Sequence, residues 1–224
     1  MANRTASSAA LRDRDSDLVT VEDFYVLVPD GVKADLIDGA IYMASPDTRT
    51  NDRLAGFLSR LLGCYCDATG AGEVFGSRFS FVLSPHRAPE PDVAFVAKRR
   101  LHLVSERDMQ GGPDVAVEVV SRDSRSRDYV DKKALYQEAG VPEYWLIDPI
   151  QRRAEFFRLK SRRYELVPLE HNRIFRSEAV PGFYLDVEWL FCVPAPKAQE
   201  KLGEILASAQ RAPRRPKPRG TRAR

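Results

Sequence analysis

The sequence predicts a mixed α/β fold: one domain with an extension at each end. Short valine-rich runs bounded by Pro or Gly alternate with segments whose apolar residues recur at helical spacing. In chain order the elements are a helix, a hairpin, a helix, several strands, a helix and further strands, which favours helices packed around a mostly central sheet. A length of 224 residues suits one domain of moderate size.

The first half of the chain contains a capping signal, a hairpin and an amphipathic helix. Thr20 and Asp23 form a capping-box pattern at the start of a short helix. Asp38-Gly39 separates two apolar runs within 34–45, and Asp-Gly in that context predicts a two-residue hairpin turn. Apolar residues at helical spacing predict a helix over 52–66. The next predicted elements are a pair of strands at about 73–83 and 91–97.

The second half is predicted to place one helix among several strands. A connector at 99–112 ends in Gly-Gly-Pro and leads into a valine-rich strand at 114–120. The spacing from Tyr129 to Ala139 predicts a helix that ends at Gly140, a typical residue at a helix C-terminus. The remaining predicted elements are strands at 143–148, 153–159 and 163–167, a closing segment at 187–192 and a helix at 198–210.

The two ends of the chain differ in composition from its body. Residues 1–17 are polar and mixed in charge, so we expect them to be disordered and the folded domain to span 18–192. Residues 193–224 hold nine Lys and Arg against two acids, whereas the whole chain holds 35 against 32. We predict a basic, largely disordered tail with one short helix. A basic tail on a mildly acidic body is common in proteins that approach a polyanion.

Composition argues against several functional classes. No apolar run approaches the ~20 residues that span a bilayer, and the N-terminal segment has no apolar signal-peptide core, so we expect a cytoplasmic protein without a membrane partner. The cysteines Cys64, Cys66 and Cys192 are odd in number and lack zinc-site spacing, and we expect buried or half-buried thiols. The sequence also lacks a glycine-rich phosphate loop, a nucleophile elbow and a His-Glu-x-x-His motif.

Two acidic residues stand in strands that should be fully apolar. Asp92 precedes Val-Ala-Phe-Val, and Glu118 lies inside Asp-Val-Ala-Val-Glu-Val-Val. A buried ionised carboxylate is costly unless it is paired or binds a metal. Mg²⁺ prefers oxygen ligands and keeps several waters, so these two acids, with Asp35 as a third and Lys132 nearby, suggest a metal-dependent phosphodiesterase site. A structural reading, with Asp92 as a strand cap and Glu118 in an ion pair with an arginine, fits the two acids equally well.

Several blocks of the sequence carry a resemblance to a known family. They are Asp35-Leu-Ile-Asp-Gly39, Pro91-Asp92, Glu118-Val-Val-Ser121, the spaced residues Asp128, Lys132 and Tyr136, Ala139 to Pro149, and Pro181 to Leu185. Together they resemble the Uma family of putative restriction endonucleases, within the PD-(D/E)XK nuclease superfamily. The resemblance covers about residues 18–192. It implies a restriction-endonuclease-like mixed sheet flanked by helices, with an antiparallel extension.

The resemblance also implies roles for individual residues. Asp92 and Glu118 are implied as metal ligands for Mg²⁺ or Mn²⁺, and Lys132 as the catalytic lysine, carried on the helix instead of the strand. Asp35 is implied as a further catalytic residue, although it stands where the family typically has Glu and is one methylene shorter. The implied activity is metal-dependent endonucleolytic cleavage of DNA phosphodiester bonds.

Two positions depart from the family pattern, and other readings stay open. Val120 lies two residues after Glu118, where the standard pattern has lysine, and Asn51 stands where many members have His.

A catalytically inactive nuclease-fold module that binds nucleic acid or a protein partner is the alternative function, and a homodimer is also left open. Three arginines in the loop after Glu118 are interpreted either as phosphate contacts or as a solvated loop: Arg122, Arg125 and Arg127.

Overall fold

The computed structural model describes residues 18–211, so the segments at 1–17 and 212–224 that we predicted to be disordered lie outside the described residues. A 3-10 helix occupies Lys98–Leu103, and a π-helical turn at Arg127–Lys132 continues directly into the helix at Lys133–Glu138. The helices are α1 (Val21–Leu27), α2 (Arg49–Thr69), α3 (Lys133–Glu138), α4 (Glu188–Phe191) and α5 (Ala198–Arg211). The strands are β1 (Ala34–Ile37), β2 (Ala40–Met43), β3 (Gly72–Gly76), β4 (Ser80–Val82), β5 (Val93–Ala97), β6 (Asp108–Gln110), β7 (Val115–Val119), β8 (Glu143–Asp148), β9 (Arg153–Lys160), β10 (Arg163–Leu166), β11 (Ile174–Arg176) and β12 (Tyr184–Asp186).

The central sheet is mixed. Across residues 18–211 it contains six strands in the order β10-β9-β8-β7-β5-β3. β7 and β8 run parallel, and every other neighbouring pair is antiparallel. The β9–β10 hairpin at one edge and the separate β11–β12 pair supply the antiparallel extension. The predicted mixed α/β architecture is therefore confirmed.

The two faces of the sheet bury different layers, because successive side chains of a strand point to opposite faces. The three valines of β7 lie in the large apolar cluster that includes α2 and Ile205 of α5. Ala116 of the same strand belongs to a second cluster, which Tyr136 of α3 and Tyr144 complete. Glu118 shares the face of Ala116, and this face therefore carries the only carboxylate of β7.

Local signals set the element ends largely as predicted. Thr20 and Asp23 make the reciprocal hydrogen bonds of a capping box at α1. Asp38 and Gly39 both adopt positive φ, at 49° and 75°, and close the two-residue turn between β1 and β2. Gly140, with φ of 76°, follows α3 where the sequence predicted the helix to end.

Three local expectations differ from the structure. The predicted strand at 73–83 is divided, since β3 joins the central sheet whereas β4 pairs in parallel with β6. The predicted connector at 99–112 therefore contains regular structure, namely the 3-10 helix and β6. Cys192, which follows the last residue of α4, is exposed, and the expectation of a buried or half-buried thiol is wrong for it.

The segment after residue 192 includes a packed helix. α5 contacts α2, and Ile205 is fully buried in the large apolar cluster. The limit of the folded domain at residue 192 stays a prediction. Among residues 18–211, no helix combines the length and the apolar character needed to cross a membrane.

Candidate active site

Asp92 and Glu118 lie side by side on one face of the central sheet. β5 and β7 are antiparallel with Val93 opposite Val117, so the same register sets Asp92 opposite Glu118. Directly opposed side chains point to the same face, with Cβ atoms about 5 Å apart. Asp92 Oδ2 also accepts a hydrogen bond of 2.7 Å from the Val119 amide, which ties the start of β5 to β7. The two strands thus bring both predicted ligands to one place.

Lys132 connects Glu118 to Asp35 across the same layer. Its Nζ lies 2.9 Å from Glu118 Oε1 and 2.9 Å from Asp35 Oδ2, and all three side chains are at most 5% exposed. Tyr136, one turn further along the helical segment, donates a 3.0 Å hydrogen bond to the same Glu118 oxygen. The i, i+4 spacing puts Lys132 and Tyr136 on one helix face, so both reach one carboxylate.

Asp35 uses both of its oxygens inside the protein. Oδ1 accepts a 2.8 Å hydrogen bond from the Glu90 amide, and Oδ2 pairs with Lys132. Because β1 is buried along its length, Asp35 enters the site from the hairpin side as a fixed partner of the lysine. These contacts indicate that Asp35 holds the Lys132 ammonium in position.

Lys33 is a site residue that sequence reasoning missed. It precedes β1 by one residue and forms an ion pair with Asp92 Oδ1. Its side chain is 19% exposed, and that of Asp92 is 14% exposed. A lysine in a loop before a strand gives no sequence signal of its own. Because Lys33 lies two residues before Asp35, both side chains come from the same short segment at the start of β1.

Asn51 and Asp128 complete the walls of the site. Asn51, in the first turn of α2, donates hydrogen bonds of 3.3 Å to the carbonyls of Val119 and Val120. The side chain at the family's usual His position thus fixes the end of β7 to a helix start. Asp128 is 2% exposed and accepts a hydrogen bond from Ser124 on Oδ2, while its buried Oδ1 has no hydrogen-bond partner among the described residues.

Burial and charge act against each other in this site. Burial raises the pKa of Glu118 above its usual value, and the Lys132 ammonium opposes that rise. Burial alone would lower the pKa of Lys132, but the Asp35 and Glu118 carboxylates outweigh it and raise that pKa. Lys33 follows the same pattern, since Asp92 raises its pKa against the effect of burial. Burial raises the pKa of Asp128 to about 6.

The site opens into a cavity of about 810 Å³. Its walls come from the β1–β2 hairpin, the start of α2, the end of β7 and the loop that leads into the π-helical turn. Six acidic and five basic side chains line it. Such a mixed polar cavity accommodates a hydrated cation and an anionic ligand together more readily than an apolar molecule.

The three loop arginines occupy different environments. Arg122 and Arg127 line the cavity. The Arg127 guanidinium lies over the Tyr42 ring, and its buried Nε lies 3.9 Å from Asp35 Oδ2 without a hydrogen-bond partner among the described residues. Arg125 instead donates a 2.7 Å hydrogen bond to the buried carboxylate of Asp148, away from the cavity. The structure therefore separates two arginines that can face a ligand from one that stabilises β8.

The family resemblance implies a divalent cation, and the side chains at the site limit how one can bind. Among the residues that the structure describes, no group of three or more His, Cys, Asp and Glu side chains is arranged to hold a metal ion. The donors that remain are the neighbouring carboxylates of Asp92 and Glu118, and water would fill the other coordination positions of a cation. This set fits Mg²⁺ or Mn²⁺, which bind in other proteins through one or two carboxylates and retain several waters.

Comparisons with known proteins agree with this architecture. A family model, Uma2, described as a putative restriction endonuclease, matches residues 21–188. The crystal structure of a putative nuclease belonging to DUF820 from Anabaena variabilis ATCC 29413 superposes with a TM-score of 0.65 at 16% sequence identity, and the match covers 77% of this chain and 97% of that one. At that identity the likeness shows the fold alone. Among curated proteins, none matches the chain.

Proposed function

Since the chain belongs to the Uma2 family of putative restriction endonucleases, we propose that it is a metal-dependent DNA endonuclease that hydrolyses phosphodiester bonds. The observation that carries this proposal is the convergence of Asp92, Glu118 and Lys132 at one cavity. These residues come from the start of β5, from β7 and from the π-helical turn before α3. The proposal includes Mg²⁺ or Mn²⁺ as cofactor and action in the cytoplasm.

Asp92 and Glu118 would hold the cation. When bound, the cation would supply positive charge to the phosphate and lower the pKa of water at the site. The protein contributes a fixed carboxylate pair, because Asp92 is anchored to the Val119 amide and Glu118 lies within a fully buried strand. Two carboxylates that are already held in place lower the entropic cost of binding a cation and orienting a substrate.

Lys132 is proposed to act on the attacking water and on the charge of the phosphate. Asp35 and Glu118 hold its ammonium from two sides, so its charge is retained although the side chain is buried. A buried ammonium can donate a hydrogen bond to a water or a phosphate oxygen, and its effect is larger there than in bulk water. A lysine on the helix thereby compensates for Val120 in the strand.

A specific observation supports the alternative of an inactive binding module. Asp92 and Glu118 each carry an ion pair with a lysine, so both carboxylates are already neutralised by protein groups. A fold that had lost its cation would be stabilised by such pairs. The catalytic reading is preferred because Asp92, Glu118 and Lys132 are all present and line one cavity.

The test is cleavage of plasmid DNA with Mg²⁺ or Mn²⁺ by the wild-type protein and by Glu118→Gln. The amide keeps the shape of the carboxylate and can still accept from Tyr136, but it removes the charge that a cation requires. We expect metal-dependent cleavage by the wild type and none by the variant at an equal melting temperature. Equal cleavage by both proteins would exclude the assigned role of Glu118.

A further inference from the structure

The two lysines of the site are held in different ways. Lys132 has two carboxylate partners, so it keeps the 2.9 Å pair with Asp35 if Glu118 turns to another ligand. Lys33 has a single ion-pair partner among the described residues, Asp92. Its stem is long and flexible, which distinguishes it from the second group on Asp92, the Val119 amide.

This asymmetry decides what a cation must replace. Asp92 Oδ1 is taken by the Lys33 ammonium, and Oδ2 by a backbone amide of β7. The amide cannot leave without breaking the order of the central sheet, whereas the ammonium needs only rotation about side-chain bonds. Of the two groups on Asp92, the Lys33 ammonium is therefore the one that a cation can replace.

We propose that Lys33 is a counter-ion of Asp92 that a divalent cation displaces, and that the released ammonium then binds a phosphate of the DNA. This inference rests on the proposed function and adds to it a substrate-binding residue and a coupling between cofactor and substrate. The displaced side chain has space, because Lys33 itself lines the cavity.

Charge supports the same sequence of events. Without a cation, Lys33 neutralises Asp92 and its charge is not available to a phosphate. With a cation on Asp92, the lysine charge is added to that of Arg122 and Arg127 on the cavity wall. Cation and DNA should then increase each other's affinity, because such coupling between two ligands is reciprocal.

The experiment compares Lys33→Met, which keeps an apolar stem without the charge, with Lys98→Met as the matched control. Lys98 is exposed and follows the opposite end of β5 from Asp92. Binding of Mn²⁺ without DNA is measured by calorimetry and by the rise in melting temperature. Affinity for a short DNA duplex is measured by fluorescence anisotropy over a series of salt concentrations, with and without Ca²⁺.

Lys33→Met should bind Mn²⁺ roughly tenfold more tightly than the wild type, the factor that corresponds to one charge-assisted hydrogen bond. With Ca²⁺ present, its DNA affinity should fall, and the slope of log K against log salt should decrease by about 1, as for one lost phosphate contact. Lys98→Met should match the wild type in both measurements. A merely structural role of Lys33 would not shift the two affinities in opposite directions.

Unchanged or weaker Mn²⁺ binding by Lys33→Met would overturn the inference and leave the proposed function standing, provided that the wild type binds Mn²⁺ and Asp92→Asn does not. Absence of Mn²⁺ binding by the wild type would instead overturn the proposed function, and the inference with it. If Lys33→Met does not melt cooperatively, Lys33→Gln provides the same comparison with a polar side chain.

Discussion

Removal of the Lys132 ammonium should destabilise the protein strongly. In Lys132→Met the carboxylates of Asp35 and Glu118, 5% and 2% exposed, lose the partner that they share. Breaking a buried ion pair by removing one partner costs about 3 to 5 kcal/mol. For a domain of this size, that loss lowers the melting temperature by roughly 6 to 20 °C. The loss should shrink at acidic pH, because burial raises the pKa of Glu118 and its protonation removes a charge that the variant leaves unpaired.

The matched control is the neighbouring lysine. Lys133 places its ammonium 3.7 Å from the centre of the Phe157 ring and away from the carboxylates, so Lys133→Met should cost about 1 kcal/mol or less. Melting followed by circular dichroism without metal compares the two variants directly. Lys132→Met combined with Asp35→Asn completes a double-mutant cycle, which should give a coupling of about 1 to 3 kcal/mol.

Two results would refute this reasoning. A loss below about 1 kcal/mol for Lys132→Met would mean that the ammonium does not neutralise buried carboxylates in the folded protein. Additive effects in the double-mutant cycle would mean that Lys132 and Asp35 do not contact each other. Either result would remove the positioning role that we assign to Asp35.

Three further predictions concern other parts of the molecule. Because burial raises the pKa of Asp128 to about 6, the folded state loses stability as pH rises from about 4 to 6, and Asp128→Asn should remove up to about 3 kcal/mol of that loss in melts between pH 4 and 8. Arg122→Ala should weaken DNA binding and reduce the slope of log K against log salt by about 1, because Arg122 lines the cavity. Arg125→Ala should instead lower the melting temperature, because it leaves buried Asp148 without its ion pair. A lower melting temperature for Arg122→Ala and weaker DNA binding by Arg125→Ala would contradict these roles. Truncation after Gln210 should flatten the salt dependence of DNA affinity while metal-dependent cleavage survives, and an unchanged slope would show that the tail does not contact DNA.

The sequence predicted those parts of the fold that depend on local chemistry. The capping box at Thr20, the Asp38-Gly39 turn and the helix end at Gly140 follow from side chains and backbone angles within a few residues. The division between β3 and β4 depends instead on which distant strand each one meets, and β4 meets β6. Pairing between strands far apart in sequence has no local signal.

The candidate site shows the same limit. Asp92 and Glu118 could be found because a carboxylate in an apolar strand needs an explanation. Lys33 could not, since a lysine before a strand is usually solvated and only the tertiary fold brings it to Asp92. The difference between Arg125 and its two neighbours is likewise visible only once Asp148 is placed beside it.

The most direct test of the central claim is a crystal structure of the protein soaked in Mn²⁺, with the ion located by its anomalous scattering. We predict one Mn²⁺ ion bound by Asp92 and Glu118, with Lys33 moved away from Asp92 and Lys132 still paired with Asp35. A structure without an ion between these carboxylates at saturating Mn²⁺, with Lys33 still paired to Asp92, would contradict it.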